Sequence, residues 1–461
     1  MFKKVLIANR GEIAVRIIRA CREMGIATVA VYSKADAQAL HVKLADEAYC
    51  IGPAAARQSY LNVASLLAVA AATQTDAIHP GYGFLAENAE FAEACSVCGI
   101  TFIGPSPEAI RRMGAKAAAR DTMKQAGVPI IPGTEGIIEE IETAVAVAEI
   151  IGYPVIVKGT AGGGGKGMRV ADNAADLSQA IRQAQKEVEV IFGDPGVYLE
   201  KYLEEPRHVE MQIMADSYGT VVYLGERDCS IQRRHQKLVE EAPSPALDER
   251  LRQQMGQVAV LAAKTVHYQG AGTVEFLLDK HGQFYFIEMN TRIQVEHAIT
   301  EMVTGIDLIK EQLAVASGCR LSFSQEDIQV NGWAMECRVN AENPACNFMP
   351  CPGKVGRYLP PGGIGVRIDS AVYPGYEISP FYDSMVAKVI VWGKTRQEAI
   401  ERMKRALSEV VIEGVRTTIP FHLKLLTHPL FVKGEVTTGF LETYCNIMEE
   451  QTDTRIPTSV C

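Results

Sequence analysis

The chain is 461 residues long, 48% hydrophobic and 22% charged, with a formal net charge of −9. At roughly 150 residues per domain it should hold about three domains, and its composition excludes a disordered tail, a collagen-like fibre and a disulfide-stapled mini-protein. The acidic balance argues against general nucleic-acid binding, and 11 scattered Cys read as reduced cytosolic thiols.

No apolar run approaches the roughly 18 residues of a membrane span. The start, Met1-Phe2-Lys3-Lys4-Val5-Leu6-Ile7, loses its apolar character at Asn9-Arg10, too soon for a signal peptide. A cytoplasmic protein with no membrane or nucleic-acid partner is expected.

The spacing predicts a βαβ unit first. Lys4 to Ala8 is a short strand and Asn9-Arg10-Gly11 a turn. Ile13, Ile17, Ala20 and Met24 recur at helical spacing, Gly25 sits where a helix C′ glycine would, and Ile26 to Tyr32 is β-rich. Such units imply a parallel sheet. Ala77–His79 and Thr101–Ile103 add further strands. The first turn has one glycine, so the fingerprint G-x-G-x-x-G is absent and NAD is not expected.

A second segment opens near Met113 with a helix from Ala115 to Ala126 that carries Lys116. Val155 to Lys158 is a strand, followed by Gly159-Thr160-Ala161-Gly162-Gly163-Gly164-Gly165-Lys166-Gly167. This is no P-loop, because Thr160 and Gly167 stand where Gly and Ser or Thr are needed. Met168-Arg169-Val170 reads as a returning strand, so the glycines form a hairpin tip. They leave backbone N–H groups free to face an anion, and Lys158, Lys166 and Arg169 add positive charge, which suits phosphate.

Val197 to Leu199 is a strand leading into Glu200-Lys201-Tyr202-Leu203, a hinge able to read an adenine edge with its backbone. Arg227, Arg233, Arg234, His235 and Lys237 then crowd one stretch and suit a small anion.

Gly272–Leu278 and Gln283–Asn290 form a hairpin about the turn Asp279-Lys280-His281-Gly282. With the turn centred between His281 and Gly282, Glu275 faces Glu288, and Asn290 shares the face of Glu288. Opposed carboxylates are destabilising, and Mg²⁺ resolves the repulsion. If the chain stays extended, Asn290, Arg292, Gln294 and Glu296 continue on one side. Arg292 could clamp a planar oxyanion and Glu296 take its proton. Cys95-Ser96-Val97-Cys98 has no second pair with which to hold zinc. A third segment, strand-rich from Gln329 to Trp392 and helical from Thr395 to Val410, ends in a polar tail.

The stretches NRGEIAVRIIRA (from Asn9), HPGYGFLAEN (His79), FIGPSPEAI (Phe102), KGTAGGGGKGMRV (Lys158), EKYLEEPRHVEMQI (Glu200), RDCSIQRRHQKLVEEAPSP (Arg227), FIEMNTRIQVEHAITEMVTG (Phe286) and ECRVNAEN (Glu336) together resemble biotin carboxylase. The resemblance implies a mixed α/β and α+β fold. A Rossmann-like domain (1–112) precedes an ATP-grasp domain (113–328) with a glycine-rich lid (about 131–203), a C-terminal biotin carboxylase domain (329–446) and a tail (447–461).

It also implies that ATP phosphorylates bicarbonate to carboxyphosphate, which delivers CO₂ to biotin. The matching ATP contacts are Lys116, Lys158, Gly164, Gly165, Lys166, Glu200, Lys201, Tyr202, Leu203, His208, Gln232, His235, Glu275 and Glu288. Glu275, Glu288 and Asn290 match magnesium ligands, which could also hold Mn²⁺. Lys237, Arg292, Gln294, Val295 and Glu296 match the bicarbonate cradle, with Glu296 the base, and Tyr82 and Arg338 match the biotin site.

Gly159, Thr160 and Ala298 depart from the family pattern without touching a catalytic group. No AMKM biotinyl motif occurs, so biotin should ride on a separate biotin carboxyl carrier protein, beside carboxyltransferase subunits, with this chain a homodimer. Acetyl-CoA carboxylase is the expected context. A pyruvate or propionyl-CoA carboxylase subunit, or another ATP-grasp carboxylate–amine ligase, is the alternative.

Overall fold

Strand β1 (Lys4–Ile7) is apolar because both its faces are covered, as parallel sheets require. It is the middle strand of a sheet ordered β3-β2-β1-β4-β5, with β2 (Ala27–Ser33), β3 (Glu47–Gly52), β4 (Ala77–His79) and β5 (Thr101–Phe102), all parallel. The crossover helix Gly11–Glu23 buries Ile13, Ile17 and Ile18, and Gly25 at φ +70° lets the chain leave it. The computed structural model describes residues 1–160 and 167–444.

β6 (Val155–Gly159), β7 (Arg169–Ala171) and β8 (Val197–Lys201) form a small antiparallel sheet in the order β7-β6-β8. Helices Ile141–Ile151 and Ala174–Phe192 cover one face through Ala144, Ala148, Leu177 and Ile181. β6 and β7 flank the glycine loop, as a hairpin tip requires. The tip itself, with Gly164, Gly165 and Lys166, lies outside the described residues, as does the tail 447–461. β8 extends further than expected: Glu200 and Lys201 still belong to the strand, and the hinge begins at Tyr202.

The largest sheet is antiparallel throughout. Its order is β13 (Phe284–Asn290), β12 (Gly270–Leu278), β9 (Arg207–Ala215), β10 (Val221–Arg233), β11 (Gln236–Ala242), β14 (Trp333–Asn340), then Met385–Gly393 and Val366–Ser370. It runs through the boundary expected near 328, because β11 pairs with β14. The helix His297–Thr304 packs against β10, β11 and β14.

The β12–β13 hairpin sets Glu275 opposite Glu288, by a different route from the simple turn count. Near the turn Leu278 pairs with Phe284, which centres the turn on His281. A bulge between Glu275/Glu288 and Phe276/Phe286 then takes up Ile287 and shifts the register by one.

Candidate active site

The pairing lines up Glu288, Glu275, Glu210 and Arg227 across β13, β12, β9 and β10. Three glutamates side by side repel one another unless cations intervene. Lys237, from β11, reaches in: its Nζ donates to Glu210 at 2.6 Å, Glu275 at 2.9 Å and Glu296 at 2.7 Å. Burial alone would favour its neutral form, but the surrounding carboxylates hold it well above the ordinary lysine range. His208 Nε2 lies 2.8 Å from Glu275, which outweighs burial and raises the imidazole. Burial favours protonation of Glu275, yet Lys237 and His208 keep it far below the usual carboxylate range.

Glu296 is fully buried. Its second oxygen accepts from Arg338 at 3.0 Å, and Arg338 Nε also donates to Glu240 at 2.6 Å. Burial pushes Glu296 up, but Lys237, Arg338 and Arg227 prevail and keep it ionised. The extended row predicted for 290–296 ends early, since β13 stops at Asn290 and Glu296 caps a helix at ψ +8°. The side chains still meet. Arg292 donates to Gln294 at 3.0 Å and Asn290 at 3.1 Å, and Gln294 and Asn290 donate to Glu275 at 3.3 and 2.9 Å. Arg292 is held from the N-terminal side by Glu87 at 2.9 Å.

The remaining expected contacts divide. Lys116 lies 3.1 Å from Glu288, and Lys158 donates to Glu200 at 2.5 Å. The Lys201 ammonium donates to the Gly152 and Tyr153 carbonyls, so its side chain is committed to the turn before β6. Tyr202 is exposed, Leu203 half-buried and Gln232 buried. Tyr82 donates to Glu12.

The basic stretch does not converge on one anion. Arg227 is fully buried and bonds Glu210, Gln212, Thr300 and Thr273. Arg233 lies over the Phe348 ring, and Arg234 and His235 form the left-handed hairpin tip. Of the five, Arg227 and Lys237 reach the row of glutamates, Arg227 at Glu210 and Lys237 at Glu210, Glu275 and Glu296. Cys95 is buried while Cys98 is exposed, so that pair does not share one environment.

Three family models cover the chain: biotin carboxylase, N-terminal domain, at 1–110; carbamoyl-phosphate synthase L chain, ATP binding domain, at 115–324; and biotin carboxylase C-terminal domain, at 336–443. Over 445 residues the chain is 68% identical to biotin carboxylase 1 of Bacillus subtilis, covering 96% of this chain and 99% of that protein. The chain belongs to the biotin carboxylase family.

It is therefore an ATP-dependent ligase. A pyruvate carboxylase subunit of Methanothermobacter thermautotrophicus is also similar, 57% identical over 96% of this chain and 90% of that one. The biotin carboxylase domain dimer of Hydrogenobacter thermophilus 2-oxoglutarate carboxylase was solved with MgADP, ADP and bicarbonate. It superposes with a TM-score of 0.90 at 51% identity, over 97% of this chain and 98% of that one.

In this biotin carboxylase, sequence reasoning missed Glu210, Glu87, Glu240 and Lys388. Lys388 was findable. It is the one charged residue of the strand Met385–Gly393, where an ordinary buried position would be apolar too. Glu87 lies in a loop far along the chain from Arg292 and carries no such signal.

Proposed function

We propose that the chain carboxylates biotin carried on a separate biotin carboxyl carrier protein, using Mg-ATP and bicarbonate, as the biotin carboxylase subunit of acetyl-CoA carboxylase in fatty-acid biosynthesis. It works in the cytoplasm as a homodimer beside carboxyltransferase subunits, with segments 1–112, 113–328 and 329–446 as its three parts. The observation that carries this reading is Glu296, fully buried and shared between Lys237 at 2.7 Å and Arg338 at 3.0 Å.

Bicarbonate entering beside Arg292, Gln294, Val295 and Lys237 takes over hydrogen bonds that now stabilise the Glu296 carboxylate. Glu296 becomes more basic as its partners are drawn away, and it accepts the bicarbonate proton. The carbonate oxygen attacks the γ-phosphorus of ATP, the bond to the bridging oxygen breaks, and ADP leaves with that electron pair. Lys116, Lys158 and the glycine loop with Gly164, Gly165 and Lys166 steady the phosphates. The backbone of Glu200 to Leu203, with His208, Gln232 and His235, holds the rest of the nucleotide.

Glu275 and Glu288 face each other with hard oxygen donors and fit Mg²⁺. Asn290 would join them with its amide turned over, because it now presents nitrogen to Glu275. Mg²⁺ bound there would neutralise charge on the phosphates.

Carboxyphosphate splits to CO₂ and phosphate, which is the strongest base then present and takes the proton of biotin N1′. Arg338 stabilises the enolate oxygen, Tyr82 borders the ring, and N1′ attacks CO₂. Release of phosphate from ATP with and without bicarbonate and free biotin tests this; ATP cleavage indifferent to bicarbonate would refute it. The 57% identity to a pyruvate carboxylase subunit supports a second reading of the acceptor. Reconstitution with a carrier protein and alternative carboxyltransferases decides between them.

A further inference from the structure

Glu240 on β11 stands directly opposite Glu336 on β14, and both are fully buried. Glu240 Oε1 accepts from Arg338 Nε at 2.6 Å. Glu240 Oε2 and both oxygens of Glu336 have no protein hydrogen-bond partner among the described residues. Two ionised carboxylates so placed would repel each other with little compensation, and one retained proton removes that repulsion.

The charged groups around the pair leave it one bonded cation. Arg338, two residues from Glu336, bridges Glu240 and Glu296. Lys388 stands opposite Arg338 on the next strand, but it donates to the Val295 carbonyl and lies 3.3 Å from Glu12 and 3.7 Å from Asp369. Lys237 is committed to Glu210, Glu275 and Glu296.

On the packed helix His297–Thr304, Glu301 is bound by Arg16 and Arg367. His297, beside Lys388, Arg16 and Arg367, is held neutral by burial and by those cations. The Cys229 and Cys337 thiols are kept protonated by burial. The neighbouring Glu241 is taken by Arg396. Burial, then, raises Glu336 well above the carboxylate range and Glu240 to about 7.

We propose that Glu240 and Glu336 share one proton, with Glu336 the neutral acid, and are positioning residues that hold the Arg338 guanidinium against Glu296. One negative charge on Glu240 balances the charge on Glu296, and Arg338 sits between them. Loss of the shared proton adds a second charge on the Glu240 side and draws Arg338 away from Glu296. The inference rests on the part proposed above for Arg338 in carboxylation.

The test is Glu336→Gln, which fixes the neutral form. Carboxybiotin formation at neutral pH should match the wild type. The alkaline limb of kcat should move up by about one pH unit or more, since the titrating proton is gone. The infrared carbonyl band of a buried protonated carboxyl should be present in the wild-type protein and missing in the variant. If Glu336→Gln does not fold, Glu240→Gln serves. It should keep the infrared band, and it should lower carboxylation about tenfold more than bicarbonate-dependent ATP cleavage, as expected for loss of a charged hydrogen bond to Arg338. No such band in the wild type, or an alkaline limb unmoved in Glu336→Gln, overturns the proposal. A wild type that cleaves ATP without regard to bicarbonate instead refutes the proposed reaction, and the infrared band then decides the question of the shared proton separately.

Discussion

Lys388 Nζ lies 3.3 Å from Glu12 Oε1 while donating to the Val295 carbonyl at 2.6 Å. One fully buried ammonium thus joins the first crossover helix to the loop that carries Gln294, Val295 and Glu296. Lys388→Met would strand Glu12 without its cation, while Asp369 keeps Arg367 at 2.7 Å, and breaking a buried ion pair by removing one partner costs about 3–5 kcal/mol. The urea midpoint of the variant should fall accordingly. An unchanged midpoint with unchanged activity would show that the contact ties nothing together.

Arg338 and Glu296 share a hydrogen bond, yet their removal should have different consequences. Glu296→Ala should abolish both bicarbonate-dependent ATP cleavage and biotin carboxylation, because both need carbonate as the attacking species. Arg338→Ala should spare ATP cleavage more than carboxylation. Parallel assays of phosphate and carboxybiotin check this, and equal losses in Arg338→Ala would count against an enolate role.

Glu288→Gln should raise the Mg²⁺ concentration needed for half-maximal turnover. The variant loses one of two opposed carboxylates but leaves Glu275 held by Lys237 and His208. A magnesium titration of initial rates reads the effect, and an unaltered magnesium requirement would remove Glu288 from the ligand set.

Much of this site was legible in the sequence because strands repeat every two residues and hairpins mirror about their turns. Glu275 opposite Glu288 followed from such counting, though the actual register needs Ile287 to bulge out. Parity ceased to guide beyond Asn290, where the chain leaves the sheet and a helix turn delivers Glu296. The third glutamate of the row, Glu210, was out of reach of local spacing, since β9 and β12 pair across more than fifty intervening residues. Charge counting misjudged Arg227. A basic cluster in sequence cannot show that one member is turned inward by Glu210 and Gln212. Nor could spacing show that the Lys201 ammonium is spent on the Gly152 and Tyr153 carbonyls.

Mild acid should remove the stability that the buried, neutral histidines contribute. Burial lowers His41 and His422 to about 4 and His79 to about 3, and it holds His297 lower than usual as well. Unfolded histidine titrates near 6.5, so between about pH 6.5 and 4 the unfolded chain takes up protons that the native state refuses. The stability that these four histidines contribute is therefore lost as pH drops through that window. His208, raised by Glu275, works in the opposite direction, and so do the carboxyls of Glu12, Glu210, Glu240, Glu241 and Glu336, which burial raises. Urea unfolding at intervals across this range should show His422→Gln losing less stability than the wild type as pH drops. The same pH dependence in the wild type and in His422→Gln would contradict a neutral, buried His422.

The most direct test of the central claim is phosphate release from Mg-ATP by the purified chain, measured with and without bicarbonate and free biotin, together with recovery of acid-labile carboxybiotin. The row of glutamates gathered around Lys237, with Glu296 shared between Lys237 and Arg338, predicts cleavage that requires bicarbonate, rises with biotin and yields carboxybiotin. Cleavage that ignores both would contradict it and point to a different carboxylate substrate on the same fold.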